Sequence, residues 1–201
     1  FIETDVRNLS QMRRLVSESE NKTGKLDIFI NNAGMSIWKS LDHVDELFWD
    51  TMINTNLKGY FWGCKAAAEK LSAGGVIVNI ASLAGKRGGK NNSVYVSSKF
   101  GVVGMTQALA KELGERGIRV NSICPVYIRT PELLSNLSGD HPNVGDKAPD
   151  LFLDDFAKSN AALLRLPLSD EIADACLYLA SPFSSAVTGQ NLNVDCGVLP
   201  Q

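Results

Sequence analysis

The combination with the clearest chemical meaning in this sequence is a tyrosine followed four residues later by a lysine, Tyr95 and Lys99. Because a helix is predicted here, both side chains should project from the same helical face. The pKa of a phenol is about 10, and a nearby ammonium group lowers it by favouring the phenolate. The pair therefore predicts an acid/base catalyst. A single pair at this spacing also arises by chance, so the interpretation depends on neighbouring residues.

Two other polar residues could complete such a site. Ser82 follows a predicted strand, so its hydroxyl could lie in the same cleft as the Tyr95 phenol, although a turn or helix-cap serine is an equal explanation. Asn56 lies within a predicted helix, where asparagine is a poor helix former. Its presence there indicates either a functional role or a buried amide whose hydrogen bonds are satisfied.

The elements that position these residues alternate between strands and helices. Strands are predicted at residues 1–6, 26–31, 76–80, 118–124 and 191–194, and helices at 8–21, 44–71, 93–116 and 170–180. Strands that are apolar throughout and alternate with helices indicate a single doubly wound α/β domain, with a mostly parallel sheet and helices on both faces. Ligands bind such sheets at the carboxyl ends of the strands, which here are residues 31–34, 81–85 and 125–130.

Composition argues against several function classes. The 201 residues carry 20 basic and 22 acidic side chains, a balance that does not favour nucleic-acid binding. The one basic cluster, Lys86, Arg87 and Lys90, is interpreted as a solvated loop. No run approaches the roughly 20 apolar residues that span a bilayer. The four cysteines form no CxxC pair, which argues against metal or disulfide roles and favours a reducing, cytoplasmic location.

Taken together, these segments resemble the classical short-chain dehydrogenase/reductase family from Asp5 to Gly197. Asn31-Asn32-Ala33-Gly34 is similar to the family's NNAG motif. Residues Asn56, Ser82, Tyr95 and Lys99 match the family's catalytic tetrad in order and spacing. Residues 188–190 and 194–195 resemble its C-terminal strand signature. The fold that this resemblance implies is Rossmann-like.

The resemblance also implies an activity. The chain is expected to be an oxidoreductase that interconverts a secondary alcohol and a ketone by hydride transfer with NAD or NADP, without a metal. Tyr95 would exchange a proton with the substrate oxygen, and Ser82 would polarise that oxygen. Lys99 would lower the pKa of Tyr95 and bind the nicotinamide ribose, and Asn56 would hold a water that links Lys99 to solvent. A non-catalytic cofactor-binding or scaffold member of the same fold is the alternative.

The cofactor-binding residues implied by the family motifs are Asp5, Val6, Asn32, Ala33, Gly34, Tyr95, Lys99, Pro125, Val126, Ile128 and Thr130. One of them departs from the family pattern. Val126 stands where a glycine is usual, and its branched side chain is expected to crowd the nicotinamide or reshape the substrate pocket. The residue that selects NAD or NADP normally ends the second strand. That strand is not recognised in this sequence, so the choice between the two cofactors is not predicted.

The sequence begins where the family has its third strand, and no glycine-rich phosphate loop precedes Asp5. In the strand order 3-2-1-4-5-6, two further strands separate residues 1–6 from residues 26–30. We therefore expect about 50–60 residues to precede Phe1 in the complete domain. Residues 1–201 are thus interpreted as an incomplete domain, from its third strand onward.

Residues 131–167 correspond to the family's substrate-binding lid, and they mix apolar with acidic residues. The apolar residues predict a partly hydrophobic lid, whereas the acidic ones argue against a highly anionic substrate. A 3-oxoacyl thioester, a sugar or polyol and a cyclic alcohol all remain open as the small-molecule substrate. The family also commonly forms homotetramers or dimers. Candidates for those contacts are the apolar residues Phe61, Trp62, Val102 and Val103.

Overall fold

At the centre of the computed structural model, which describes residues 1–138 and 141–200, lies a parallel sheet. Its strands are β1 (Ile28–Asn31), β2 (Val76–Ile80), β3 (Arg119–Pro125) and β4 (Asn191–Val194), side by side in that order. Each neighbouring pair is parallel, so the carboxyl ends of the strands meet at one edge of the sheet. The parallel sheet that the sequence predicts is confirmed.

Helices cover both faces of this sheet. The described helices are α1 (Leu9–Thr23), α2 (Glu46–Ile53), α3 (Gly59–Ala68), α4 (Ser93–Gly114), α5 (Pro131–Asn136), α6 (Pro149–Asn160) and α7 (Ser169–Ala180). Of these, α3, α4 and α7 pack directly on the strands. On one face, Cys64 of α3 and Leu113 of α4 pack around Ile77. On the other, Leu179 of α7 packs against Val76. Successive strand residues point to opposite faces, and the doubly wound α/β domain is confirmed. No described helix has the length and apolar character needed to cross a membrane.

The strand predicted at residues 1–6 is wrong. Residues 1–5 form no regular structure and pair with no strand, and a strand needs a neighbour for its N–H and C=O groups. The Asp5 N–H donates instead to the Gln11 side chain of α1 at 2.7 Å. Val6 packs against a cluster that contains Met12 of α1 and Ala66 of α3. This segment is therefore held by helices rather than by the sheet.

The long helix predicted at residues 44–71 is interrupted by a turn of π-helix at Asn54–Lys58, which separates α2 from α3. The Gly59 N–H donates to the Asn54 carbonyl, five residues back rather than four. Helix α2 begins after Asp45, whose carboxylate accepts a hydrogen bond from the Phe48 N–H at 2.7 Å. Turns of π-helix are frequent at functional sites, and this one contains Asn56.

A row of buried polar side chains crosses the sheet. The Asn31 Nδ2 donates to Asn79 Oδ1 at 2.8 Å, and the Asn79 Nδ2 donates to Thr106 Oγ1 of α4 at 3.0 Å. All three side chains are buried. Because they satisfy one another, their burial costs little. The row joins β1, β2 and α4, and it fixes the start of the loop that follows Asn31.

Residues 131–167, which were expected to form a lid, contain the two helices α5 and α6. Helix α5 begins after Thr130, whose side-chain oxygen accepts a hydrogen bond from the Leu133 N–H at 3.2 Å. Leu137 and Leu153 are buried together in a separate apolar cluster, so part of the apolar content of the lid folds the lid itself. Residue 139 and the acidic lid residue Asp140 lie outside the described residues.

Candidate active site

The carboxyl ends of β2 and β3 and the first turns of α4 enclose a cavity of about 200 Å³. Ser82, Tyr95 and Lys99 line it. So do most of the residues expected to bind the cofactor, namely Asn32, Gly34, Pro125, Val126, Ile128 and Thr130. Residues from distant parts of the sequence thus meet at the sheet edge where a ligand is expected.

Tyr95 and Ser82 form the polar centre of this cavity. Hydrogen bonds with the Ser82 and Ser36 hydroxyls lower the pKa of Tyr95, but burial raises it more, so that its pKa lies above the ordinary value of 10. Ser82 also accepts a hydrogen bond from the Ala84 N–H at 3.1 Å, which fixes it at the start of the tight turn Leu83–Gly85. Ser36 was not predicted, although its position two residues after the Asn31–Gly34 motif was an available signal.

Lys99 is buried below Tyr95. Its Nζ donates to the Ile80 carbonyl at 2.9 Å and lies 3.4 Å from the Tyr60 hydroxyl. The Tyr60 hydroxyl donates to the same carbonyl at 2.9 Å. Burial lowers the pKa of Lys99 from 10.5 to about 7. Tyr60 was also missed, although it lies one helical turn after Asn56 and so shares a helix face with it.

One electrostatic expectation is wrong for this structure. The sequence predicts that Lys99 lowers the pKa of Tyr95, yet the pKa of Tyr95 is raised, with burial as the main cause. The Lys99 Nζ lies 5.8 Å from the centre of the Tyr95 ring and donates to the Ile80 carbonyl. Desolvation disfavours the charged form of each group. The neutral phenol is therefore the stable form of Tyr95 at neutral pH.

Asn56 is fully buried behind the cavity rather than on its wall. Its side chain accepts from the Met35 N–H at 2.9 Å and donates to the Met35 carbonyl at 2.8 Å. A Cβ added to Gly34 would lie 3.1 Å from Asn56 Oδ1 and 3.8 Å from Lys99 Nζ. The Asn56 side chain thus satisfies its hydrogen bonds by holding the loop at Met35, and Gly34 lets that loop pass close to Lys99.

Three residues expected to bind the cofactor do not line this cavity. The Asp5 carboxylate forms an ion pair with Arg7 at 2.8 Å, which lowers its pKa to about 2, and it faces a separate groove beside α1. Val6 packs against the helices, as described above. Ala33 is exposed, between two residues that do line the cavity.

A second, larger cleft of about 440 Å³ adjoins the first, and Ser82, Tyr95 and Val126 line both. Its wall is aromatic: the Trp38 ring centre lies 6.5 Å from that of Tyr95 and 6.1 Å from that of Tyr127. The branched side chain of Val126 stands between the two spaces. The Ser82 and Tyr95 side chains thus border both the smaller cavity and the larger cleft.

Sequence comparisons assign this chain to a family. The family model described as enoyl-(acyl carrier protein) reductase matches residues 1–199. A 3-oxoacyl-(acyl-carrier-protein) reductase of Thermotoga maritima is 35% identical across 97% of this chain and 75% of that protein. A short-chain dehydrogenase/reductase of Armillaria gallica is 33% identical across 99% and 75% respectively. The chain belongs to the classical short-chain dehydrogenase/reductase family.

Solved structures agree with membership of the short-chain dehydrogenase/reductase family. The aldohexose dehydrogenase of Thermoplasma acidophilum matches 100% of this chain and 81% of that one, with a TM-score of 0.89 and 28% identity. A variant of the actinorhodin polyketide ketoreductase, solved with NADPH, matches 97% of this chain and 76% of that one, with a TM-score of 0.87 and 33% identity. As a member of this family, the chain is an oxidoreductase that uses NAD or NADP.

Proposed function

We propose that this short-chain dehydrogenase/reductase interconverts a secondary alcohol and a ketone, with Tyr95 as the acid/base residue. The observation that carries the proposal is the hydrogen-bonded pair of Ser82 and Tyr95 hydroxyls, in one cavity with the buried ammonium of Lys99. That cavity suits the nicotinamide end of the cofactor. The missing Cβ of Gly34 leaves room above Lys99, and Pro125, Val126 and Ile128 supply an apolar wall.

The bound cofactor would supply or accept the hydride, and the protein handles the proton. In the direction of reduction, the Ser82 hydroxyl donates a hydrogen bond to the carbonyl oxygen and polarises it. Tyr95 then gives its phenolic proton to that oxygen. A raised pKa suits this role, because the phenol holds its proton at neutral pH until the substrate oxygen becomes more basic. In the direction of oxidation, Tyr95 must first lose its proton and then accept one from the alcohol.

Lys99, Thr130 and Asn56 have supporting roles in this proposal. The Lys99 ammonium would bind the nicotinamide ribose from below, and Thr130 would contact the carboxamide. Because both polar atoms of the Asn56 side chain bond to Met35, any water beside Asn56 would be held by its backbone within the π-turn. Residues 131–167 would close over the larger cleft as the substrate lid, since Leu133 and Phe156 line it.

The test follows NADH or NADPH fluorescence with the purified full-length protein across a panel of ketones and alcohols. We expect turnover that Tyr95→Phe reduces at least about a hundredfold, because general acid catalysis contributes that much. Tyr178→Phe is the matched control, since Tyr178 lies on α7 with its ring exposed. Cofactor binding without turnover, and with no effect of Tyr95→Phe, would favour the non-catalytic alternative.

We also propose that the chain assembles as a dimer or tetramer through the outer faces of α3 and α4. Phe61 is 44% exposed there, beside an apolar surface groove that Trp62 and Met105 help to line. Val102, which was expected to take part, is fully buried, and Val103 packs in the monomer core. Light scattering tests the assembly. A single-subunit mass for the wild-type chain would refute it, whereas Phe61→Lys should shift the mass toward one subunit.

A further inference from the structure

The larger cleft has a charged end that the proposed mechanism does not use. Arg87 and Lys90 line it, and they are the charged side chains among the described residues that do so. The cluster to which they belong was interpreted from the sequence as a solvated loop. Lys86, the third member of this cluster, does not line the cleft. Its Nζ donates instead to the Asn191 carbonyl in β4, at the far edge of the sheet.

Three acidic residues of the lid, Asp150, Asp154 and Asp155, are paired with cations away from this end. Arg129, on the lid side, forms ion pairs with Asp150 and Asp154. Lys147 pairs with Asp155 at 3.0 Å. None of these carboxylates lines the cleft. Asp150, Asp154 and Asp155 thus face cations other than those of the cleft, so these three lid acids give no argument against an anionic group bound there.

The backbone that carries Arg87 and Lys90 is fixed relative to the catalytic residues. The Arg87 N–H donates to the Leu83 carbonyl at 3.0 Å, and the Lys90 carbonyl accepts from Asn143 Nδ2 at 3.0 Å. A Cβ on Gly85 would lie 2.7 Å from the Lys99 carbonyl, so the turn after Ser82 packs directly on α4. Both cations are thus carried by a short, anchored segment that begins at the catalytic serine.

The charge of Arg87 acts within the cleft. Burial raises the pKa of Tyr127, which lies in the aromatic wall, and the Arg87 cation opposes that increase. Within residues 1–138 and 141–200, neither Arg87 nor Lys90 has a carboxylate partner. An arginine in such a position has a planar set of donors that matches an anionic oxygen group.

We propose that the substrate carries an anionic oxygen group, a carboxylate or a phosphate, that Arg87 and Lys90 bind. Its apolar body would pack against Trp38, Tyr127 and Leu133 while its carbonyl or hydroxyl reaches Ser82 and Tyr95. The volume of about 440 Å³ fits a small ring or a short chain. This inference rests on the proposed function, since it assigns the substrate class of the same site.

The test compares ketones that differ only in charge. The probes are cyclohexanone with a carboxylate opposite the carbonyl, its phosphate-bearing counterpart, and its neutral carboxamide. We measure kcat/KM and, by calorimetry on the cofactor-bound chain, Kd for the wild type, Arg87→Gln and Arg87→Gln/Lys90→Gln. Lys147→Gln is the control, because it removes one positive charge from the lid away from the cleft.

We expect the wild type to prefer one of the anionic ketones over the carboxamide about tenfold or more, as for a charge-assisted hydrogen bond. The larger preference identifies carboxylate or phosphate as the group bound. In both cleft variants the ratio of kcat/KM for the anionic ketone to kcat/KM for the carboxamide should fall toward one. In the wild type the ratio should decrease with added salt, and it should be unchanged in Lys147→Gln. Equal values for the three probes in the wild type, or a preference that survives in the double variant, would overturn the inference.

The two proposals fail separately. If the wild type reduces none of the ketones but binds the anionic ones preferentially through Arg87, the proposed reaction fails and the charge recognition stands. If it reduces the carboxamide as well as the anions, with Tyr95→Phe inactive, the reaction stands and the charge recognition fails.

Discussion

Replacing Lys99 by methionine should make the folded chain more stable while it removes activity. Lys99 is only 4% exposed, and burial lowers its pKa from 10.5 to about 7. In the unfolded chain the same side chain is solvated and keeps its ordinary pKa. At pH 7 the folded protein must therefore either desolvate the ammonium or release its proton, and both cost free energy. Methionine has a similar helix propensity and carries no charge.

The size of the effect follows from that difference in pKa. Each pKa unit corresponds to about 1.4 kcal/mol, so lowering the pKa from 10.5 to about 7 costs up to about 5 kcal/mol. The variant loses the hydrogen bond from Lys99 to the Ile80 carbonyl, worth about 1 kcal/mol. That carbonyl still accepts from Tyr60. We expect a net stabilisation of about 2–4 kcal/mol, or a Tm higher by roughly 5–10 °C.

The dependence on pH distinguishes this explanation from simple repacking. A lysine whose folded pKa is lowered makes the unfolded state bind more protons between pH 7 and 10.5, so wild-type stability should rise with pH through that window. Urea denaturation at pH 6, 7.5, 9 and 10 should show the largest gap at low pH and a narrowing gap above about pH 7. Lys111→Met, at an exposed position of the same helix, is the control. A variant less stable than the wild type at pH 7, or a gap independent of pH, would refute the reasoning.

Other predictions follow from contacts already described. Because the pKa of Tyr95 is raised, the phenolate forms only at alkaline pH. Alcohol oxidation should therefore keep rising above about pH 9, whereas an oxidation profile that levels off below pH 8 would contradict it. Asn79→Leu should destabilise the chain by about 2 kcal/mol in thermal denaturation, since it removes the bonds to Asn31 and Thr106 and leaves the Asn31 amide only its longer bonds to Tyr60 and Cys64; an unchanged Tm would argue against a structural role for the buried row. Arg129→Gln should cost less than about 1 kcal/mol, because its ion pairs with Asp150 and Asp154 are exposed, and a large loss would show that these pairs hold the lid together.

Much of the fold could be read from the sequence, since buried parallel strands are continuous apolar runs and the helices α1 and α4 end at glycines. The exception at residues 1–6 is instructive. Their composition suits a strand, but whether a strand forms depends on a neighbour that supplies hydrogen bonds, and β1 is the edge strand on that side. The π-turn at Asn54–Lys58 was not predicted either, and the Asn56 side chain within it makes a tertiary contact with Met35 that the sequence does not show.

The candidate site likewise has features that could be predicted from the sequence and features that could not. Ser82, Tyr95 and Lys99 could be predicted because their types and spacing carry the chemistry, and they do line one cavity. The pKa of Tyr95 could not, since its direction depends on how much burial outweighs the hydrogen bonds from Ser82 and Ser36. The partners of the lid acids could not be predicted either. A sequence lists charges but not their partners, and here Arg129 and Lys147 pair with Asp150, Asp154 and Asp155.

The turn at Leu83–Gly85 has a consequence for how selectivity could change in this chain. It joins Ser82 and Arg87 in one short segment pressed against α4, whereas Leu133 and Phe156 reach the cleft from the lid. The proposed requirement for charge and the tolerance for size would thus be encoded in largely separate stretches of the sequence. Lid sequences that keep Asn143, whose amide holds the Lys90 carbonyl, could be exchanged to admit a larger or smaller body while the segment from Ser82 to Arg87 stays in place. Selectivity for substrate charge and selectivity for substrate size could therefore be changed largely separately.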